Sequence, residues 1–317
     1  MNACIIIPSH ISHISRINLL MNSLTSLEQQ TYKIPVYLSI SFETPTFQQI
    51  FEKTLKTRNI NQETNNTFIQ NAKTPQYRHI EILYKKLRKE YKWFFFCDDD
   101  DTYNPSRVHV FMNYIQALDL TQDPTLKNKN PLFAGIYESQ DKKTHQEQYY
   151  EYWSYCVHTN ILDRFYKDIY NYDESLLDHV LCDIVFATYL RKLPPTFVFV
   201  PIPENNYNYI RNEKSMTGIV KTLNQSKENP QHREKSHIDD LNDHYKNNLH
   251  HLSNSMFMLA LWDYTFEDAL QKIFTPSTTS NRIHIEIIES LRTVYDRLIG
   301  FMHLPESASL DYMCPEN

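Results

Sequence analysis

An α/β fold is predicted for the first two-thirds of the chain: a mostly parallel central sheet with helices on both faces, plus a C-terminal helical appendage. Three observations predict it. Strand-like and helix-like segments alternate over the first hundred residues, the pattern of parallel strands joined by helical crossovers. The run Trp93-Phe94-Phe95-Phe96-Cys97 is apolar throughout and free of Gly and Pro, which marks an interior strand. Beyond residue 237 the apolar positions recur only at helical spacing.

Residues 3–8 open the chain as a strand. Ile17, Leu20, Leu24 and Leu27 then fall on one face of a helix over 15–30. Pro35 precedes a second strand at 36–42, where Val36, Leu38, Ile40 and Phe42 alternate. A helix at 46–57 leads through a polar stretch to a short strand at 67–70. An amphipathic helix over 77–91 then delivers the chain to the aromatic strand.

Past that strand come a helix at 106–118, a strand at 131–137 containing Gly135, and an extended aromatic segment at 149–158. A helix at 160–170 follows, then a longer one from 176 to 193 that Pro194-Pro195 stops. Residues 196–202 read as a last strand. Residues 221–237 are polar, lack a hydrophobic rhythm and contain Pro230. They are expected to link a sheet domain over 1–220 to a helical extension over 238–317, with helices at 238–252, 255–273 and 282–303. The apolar stripes of those helices need a partner, either the sheet domain or a second copy of the chain in an oligomer.

Composition removes several function classes. The net charge of −6 over 317 residues argues against a general nucleic-acid binder, which needs a basic surface. Only three glycines occur, Gly135, Gly218 and Gly300, about 1% against roughly 7% in an average protein. Glycine-rich phosphate cradles need several within a few residues, so any nucleotide must be held by side chains and metal. The five cysteines are scattered without metal-ligand spacing, and neither His10 with His13 nor His250 with His251 has a partner set for zinc. No signal peptide or bilayer-spanning stretch is evident. A cytoplasmic setting is expected, at most peripheral to a membrane.

The junction at Asp98-Asp99-Asp100-Asp101 is the most informative feature. Four adjacent carboxylates repel one another unless solvent or a cation takes up the charge. Here they follow a buried strand directly, and Tyr103-Asn104-Pro105 breaks the strand behind them. Ligands of open α/β sheets bind outside the carboxyl ends of the strands. Oxygen ligands in that place suit Mn2+ or Mg2+, with positions left for phosphate oxygens.

The order of these features resembles family 2 glycosyltransferases of the nucleotide-diphospho-sugar transferase (GT-A) fold, over about residues 3–217. Ile5-Ile6-Ile7-Pro8-Ser9 is similar to the family's opening strand. Phe96-Cys97-Asp98-Asp99-Asp100-Asp101-Thr102-Tyr103-Asn104-Pro105 resembles its strand-DxDD-turn-Pro signature, and the helix beginning Cys182-Asp183 is similar to the acidic helix that supplies the catalytic base. The resemblance implies a metal-dependent, inverting glycosyltransferase that takes a sugar from a nucleotide-sugar donor, most readily a UDP-sugar, to a glycan or glycoconjugate acceptor. It implies metal ligation by Asp98, Asp100 and Asp101, with Asp98 toward the nucleoside and Asp99 in support. Asp183 would be the base, with Asp178 as its rival. Pro8, Ser9, Gln76 and His79 would line the donor site.

Departures from the family pattern bear on the donor. The second strand ends Ser39-Ile40-Ser41-Phe42-Glu43 without the family's glycine turn, so Glu43 stands as a partial substitute for a base-reading acid. After the last strand, Arg211, Lys214 and Ser215 replace the usual His and Ser near the phosphates. Trp153 and Tyr155 are candidates for stacking on a sugar ring. Two alternatives share part of the pattern. The sequence Asp98-Asp99-Asp100-Asp101-Thr102 also fits the nucleophile motif of magnesium-dependent phosphatases of the haloacid-dehalogenase type, although that fold usually opens with this strand. A non-catalytic, transferase-like binding module is the other.

Overall fold

The computed structural model describes residues 3–58, 65–120, 132–138, 151–194, 197–203, 206–210, 249–261, 263–274 and 285–307. These fall into two compact units, split between residues 210 and 211. The linker expected at 221–237 and the start of the helix expected at 238–252 lie outside the described residues.

The first unit is built on a seven-stranded sheet. In chain order its strands are β1 (Ala3–Ile11), β2 (Val36–Phe42), β3 (Asn65–Gln70), β4 (Trp93–Phe96), β6 (Leu132–Glu138), β7 (Tyr155–His158) and β8 (Phe197–Ile202). Their spatial order is β3-β2-β1-β4-β7-β6-β8. Four of the pairings are parallel; β7 alone runs antiparallel to both of its neighbours. The fold is therefore α/β with a mostly parallel sheet. β1 and β4 are buried along nearly their whole length, as strands covered by helices on both faces must be.

The described residues of this unit form six α-helices, α1 (Ile14–Glu28), α2 (Pro45–Thr57), α3 (Gln76–Leu87), α4 (Arg107–Leu120), α5 (Thr159–Tyr172) and α6 (Cys182–Arg191). Local chemistry sets their starts. The Thr44 side chain accepts from the Phe47 amide, and Pro45 occupies the first turn of α2, where a missing N–H costs nothing. His158 and His13 cap α5 and α1 in the same manner.

Two features of the sheet shape the site. β1 runs to Ile11, beyond the expected 3–8, because Pro8 to Ile11 continue to pair with β2. β4 pairs with β1 only as far as Phe96 and then turns away. That leaves a notch at the carboxyl ends of the two strands, where neighbouring connections depart in opposite directions. A second small sheet pairs β5 (Thr102–Tyr103) with β9 (Tyr207–Asn208) just beyond the notch. Gly135 serves the sheet by its lack of a side chain: an added Cβ would lie 2.7 Å from the Cys156 carbonyl oxygen and 3.0 Å from the Phe199 ring.

The helix expected from 176 to 193 is two elements. A 3-10 turn, Glu174–Asp178, is capped by the Asp173 carboxylate, and α6 begins only at Cys182. Periodicity carried the expectation across His179-Val180-Leu181, where the chain turns.

Among its described residues the second unit has three helices, α7 (Leu249–Leu261), α8 (Phe266–Ile273) and α9 (Ile285–Ser307). The single helix expected at 255–273 is broken, because Asp263 adopts a left-handed φ of 57° and Thr265 starts α8 afresh. Thr265 Oγ1 accepts from the Asp268 amide at 3.1 Å and donates to the Asp268 carboxylate at 2.8 Å, a reciprocal cap. Leu252, Met256, Phe266, Ala269, Phe274, Ile287 and Leu291 form the core of this unit. No helix of the described residues is long and apolar enough to cross a membrane.

Candidate active site at the ends of strands β1 and β4

The four aspartates leave β4 on a turn closed by the Asp101 amide on the Asp98 carbonyl, and each meets a different environment. Asp99 is buried and turned toward β1 and α1. Its Oδ2 accepts from Ser9 Oγ at 2.6 Å, and its Oδ1 accepts from the Arg16 guanidinium. Asp101 is fully buried, and both of its oxygens are engaged. Oδ2 accepts from the Tyr207 hydroxyl and Oδ1 from the Ile210 amide, each at 2.8 Å. These two carboxylates fasten the acidic turn to β1, α1 and the 206–210 segment.

Asp98 and Asp100 are placed otherwise. Asp98 Oδ1 accepts from Gln76 Nε2 at 2.9 Å and from the Tyr152 hydroxyl, while Oδ2 accepts no hydrogen bond among the described residues. Asp100 is half-buried, and no side chain of the described residues bonds to its carboxylate. Burial, with the charge of Asp101 adding, pushes the Asp98 pKa well up, against the pull of the Tyr152 hydrogen bond. Asp100 is pushed up to about 6 by burial and then by Asp99. Asp101 is pushed up to about 7 by burial, opposed by its Ile210 and Tyr207 donors. Arg16 offsets only part of the charge of the four carboxylates, and a cluster of this kind favours a bound cation.

Among the described residues no three His, Cys, Asp or Glu side chains form a preassembled metal cage. That agrees with the engagement of Asp99 and Asp101. The open oxygens of Asp98 and Asp100 suit an ion that takes one or two carboxylates from protein and the rest from phosphates and water, as magnesium does.

Asp183 lies in the first turn of α6. Its Oδ1 is buried and has no hydrogen-bond partner among the described residues. Burial and then the charge of Glu151 push its pKa up to about 7, with the Ile184 amide drawing it back. A carboxylate with one free oxygen and a pKa near neutrality is suited to taking a proton. Asp178 is not placed that way: Arg78 grips both its oxygens at 2.8 and 3.1 Å.

The raised acids fix a pH dependence. Between about pH 4 and pH 7 the folded chain holds protons that the unfolded chain has released, so their contribution to stability falls as pH rises through that window. Asp183→Asn removes one such group. In chelator, its melting temperature relative to wild type is expected to rise from pH 5 to pH 8; a difference independent of pH would contradict the assigned shift.

The remaining sequence candidates divide. Pro8 is buried in β1, and Ser9 acts through Asp99. His79 is 1% exposed, held by Ser39 Oγ at 2.8 Å and Ser41 Oγ at 3.1 Å. Burial and nearby His10 push its pKa down to about 4, so it is a neutral brace under β2 rather than a surface for a donor. Glu43 is exposed and bonded to His10 Nε2 at 3.0 Å. Arg211, Lys214 and Ser215 lie outside the described residues. Trp153 and Tyr155 are both buried and offer no ring face to a sugar.

Several functional neighbours were not apparent in the sequence. Arg16, Tyr152 and Tyr207 contact the acidic turn from distant segments and follow no spacing rule. Arg107 and Glu138 form a buried pair at 3.2 Å. Arg107 also donates to the Trp153 carbonyl at 2.9 Å and stacks over Tyr103. Arg107 opens α4, which also carries His109, Asn113, Gln116 and Asp119, so no local pattern singles it out.

No protein-family model matches the sequence, and no curated protein sequence does. Among solved structures, the chain is similar to the crystal structure of S. aureus TarS 1-349, at 14% identity and a TM-score of 0.43, over 96% of this chain and 90% of that one. A second crystal structure of S. aureus TarS matches at 13% identity and a TM-score of 0.42, over 96% of this chain and 55% of that one. Likeness at this level carries no weight for function.

Proposed function

We propose that the chain is a metal-dependent glycosyltransferase that moves a sugar, with inversion, from a nucleotide-sugar donor to an acceptor hydroxyl on a glycan or glycoconjugate. The sequence motifs point to this class. The observation that supports it most is the division of labour among the four aspartates: the fold itself ties Asp99 and Asp101 and leaves oxygens of Asp98 and Asp100 open in the notch. A notch with few open protein ligands and no glycine cradle suits an ion that arrives with a diphosphate.

Asp98 and Asp100 would hold Mn2+ or Mg2+, which when bound offsets the negative charge that develops on the departing diphosphate. Gln76 and Tyr152 fix the orientation of Asp98. Ser9 and Arg16 keep Asp99 turned from the ion, and Arg16 also lessens the net charge of the turn. Asp183 accepts the proton of the acceptor hydroxyl as that oxygen attacks the anomeric carbon from the face opposite the diphosphate. The resemblance favours UDP as the carrier.

A thermal-shift screen tests this reading. Ligands that bind only the folded state raise its apparent stability, so one nucleotide sugar or nucleoside diphosphate should raise the melting temperature by about 5 °C at saturation with manganese present. The same ligand should do nothing in chelator. A shift of equal size without metal would contradict the metal-borne site.

A further inference from the structure

We infer that Arg78 is a positioning residue for Asp183, acting by clamping the turn from which α6 springs. The inference rests on the transferase reading for what Asp183 does, but the clamp itself stands on geometry.

The first turn of α3 sends consecutive side chains to different parts of the site. Gln76 reaches Asp98 and Tyr152. The Tyr77 ring is buried against Tyr152, Phe165 and Phe186, the last on α6. His79 braces Ser39 and Ser41 of β2. Between them Arg78 turns to the 3-10 segment before α6. Its Nε and Nη2 hold the two oxygens of Asp178 at 2.8 and 3.1 Å, and Nη2 also donates to the Glu174 carbonyl at 3.1 Å. Its Nη1 donates to the Tyr170 hydroxyl of α5 at 3.1 Å.

One guanidinium thus ties both ends of the Glu174–Asp178 turn to the helix that carries Gln76. The turn needs such a tie. α6 starts at Cys182 and its N-cap residue, Leu181, makes no side-chain cap, Val180 is 40% exposed, and only His179-Val180-Leu181-Cys182 separates Asp178 from Asp183. With Asp183 Oδ1 free of any partner among the described residues, its position is set by the backbone beneath it. A base displaced by about 1 Å loses much of its effect. A planar, two-point grip on a carboxylate with a spare donor for a carbonyl is a task for Arg and not for Lys.

The test uses the full chain, with Arg78→Ala, Arg78→Lys and Asp178→Ala. Hydrogen exchange is read over residues 174–185, with β2 as internal control, beside transfer rate and donor KM. Arg78→Ala is expected to speed exchange in 174–185 by about 3- to 10-fold, the scale of a partly exposed ion-pair network, and to leave β2 unchanged. Its kcat should fall by roughly 10-fold or more with donor KM little altered. Arg78→Lys should recover only part of both, and Asp178→Ala should combine non-additively with Arg78→Ala. Unchanged exchange, or faster exchange with full kcat, would overturn the inference. A wild-type chain inert toward every donor would instead bring down the transferase reading, while the exchange result would still decide whether the clamp exists.

Discussion

Asp183→Asn is expected to lower transfer to the acceptor by roughly 100-fold or more, the scale for loss of a positioned general base, while donor and metal affinity stay near wild type. The amide keeps the shape of the side chain but cannot take a proton. Oδ1 of Asp183 accepts no hydrogen bond among the described residues, so the substitution strands no donor there and should leave the fold intact. The wild-type rate should also rise with pH and level off above about 7, where the carboxylate is ionised. Asp178→Asn should cost less and act differently, because both oxygens of the exposed Asp178 carboxylate are held by Arg78. Steady-state kinetics on both variants, with donor binding measured separately, separates the roles. Equal losses of donor affinity and turnover in Asp183→Asn would make it a binding residue.

The second large effect is structural. Arg107 and Glu138 are 0% and 1% exposed at their side chains, and Glu138 Oε1 also receives the Asn206 amide at 3.0 Å. Removing one partner leaves the other charge buried and alone, so Arg107→Met or Glu138→Ala is expected to destabilise the chain by about 3–5 kcal/mol. The loss should reach the site, because Arg107 lies beneath the Tyr207 ring whose hydroxyl anchors Asp101. Urea unfolding of single and double variants measures it. The double replacement Arg107→Met with Glu138→Leu should be less harmful than either single change, since no lone charge remains. Single variants within about 0.5 kcal/mol of wild type would show that the pair carries little.

Much of the sheet was legible because strands buried on both faces have a strong signature. Trp93–Phe96 reads as interior strand without help from its neighbours, whereas the alternation of Val36–Phe42 marks a strand with one buried face, and the structure buries Tyr37, Ser39 and Ser41 as well. The errors fall where polar chemistry overrides rhythm. Asp173 caps a 3-10 turn inside an apparently continuous helical pattern, and Thr265 restarts a helix after Asp263 has left the helical region. Both caps stand in plain sight, but each is a single residue weighed against a long apolar stripe.

The candidate site was legible as a place and not as a set of roles. A carboxylate cluster at a strand end points to a ligand, yet nothing local tells which carboxylates remain open. That depends on Ser9, Arg16, Tyr152, Tyr207 and the Ile210 amide, all brought in by tertiary structure. His79 shows the converse. Its place beside Gln76 made it a candidate donor contact, whereas the fold sandwiches it between two serines of β2.

The most direct measurement is release of nucleoside diphosphate from a panel of nucleotide sugars, with and without manganese, compared with release of phosphate from phosphomonoesters. Slow, manganese-dependent hydrolysis of at least one donor is expected, lost in Asp100→Asn, with phosphomonoesters left intact. Cleavage of phosphomonoesters in preference to every nucleotide sugar, or hydrolysis of a donor undiminished in Asp100→Asn, would contradict a metal-borne transferase site at Asp98 and Asp100.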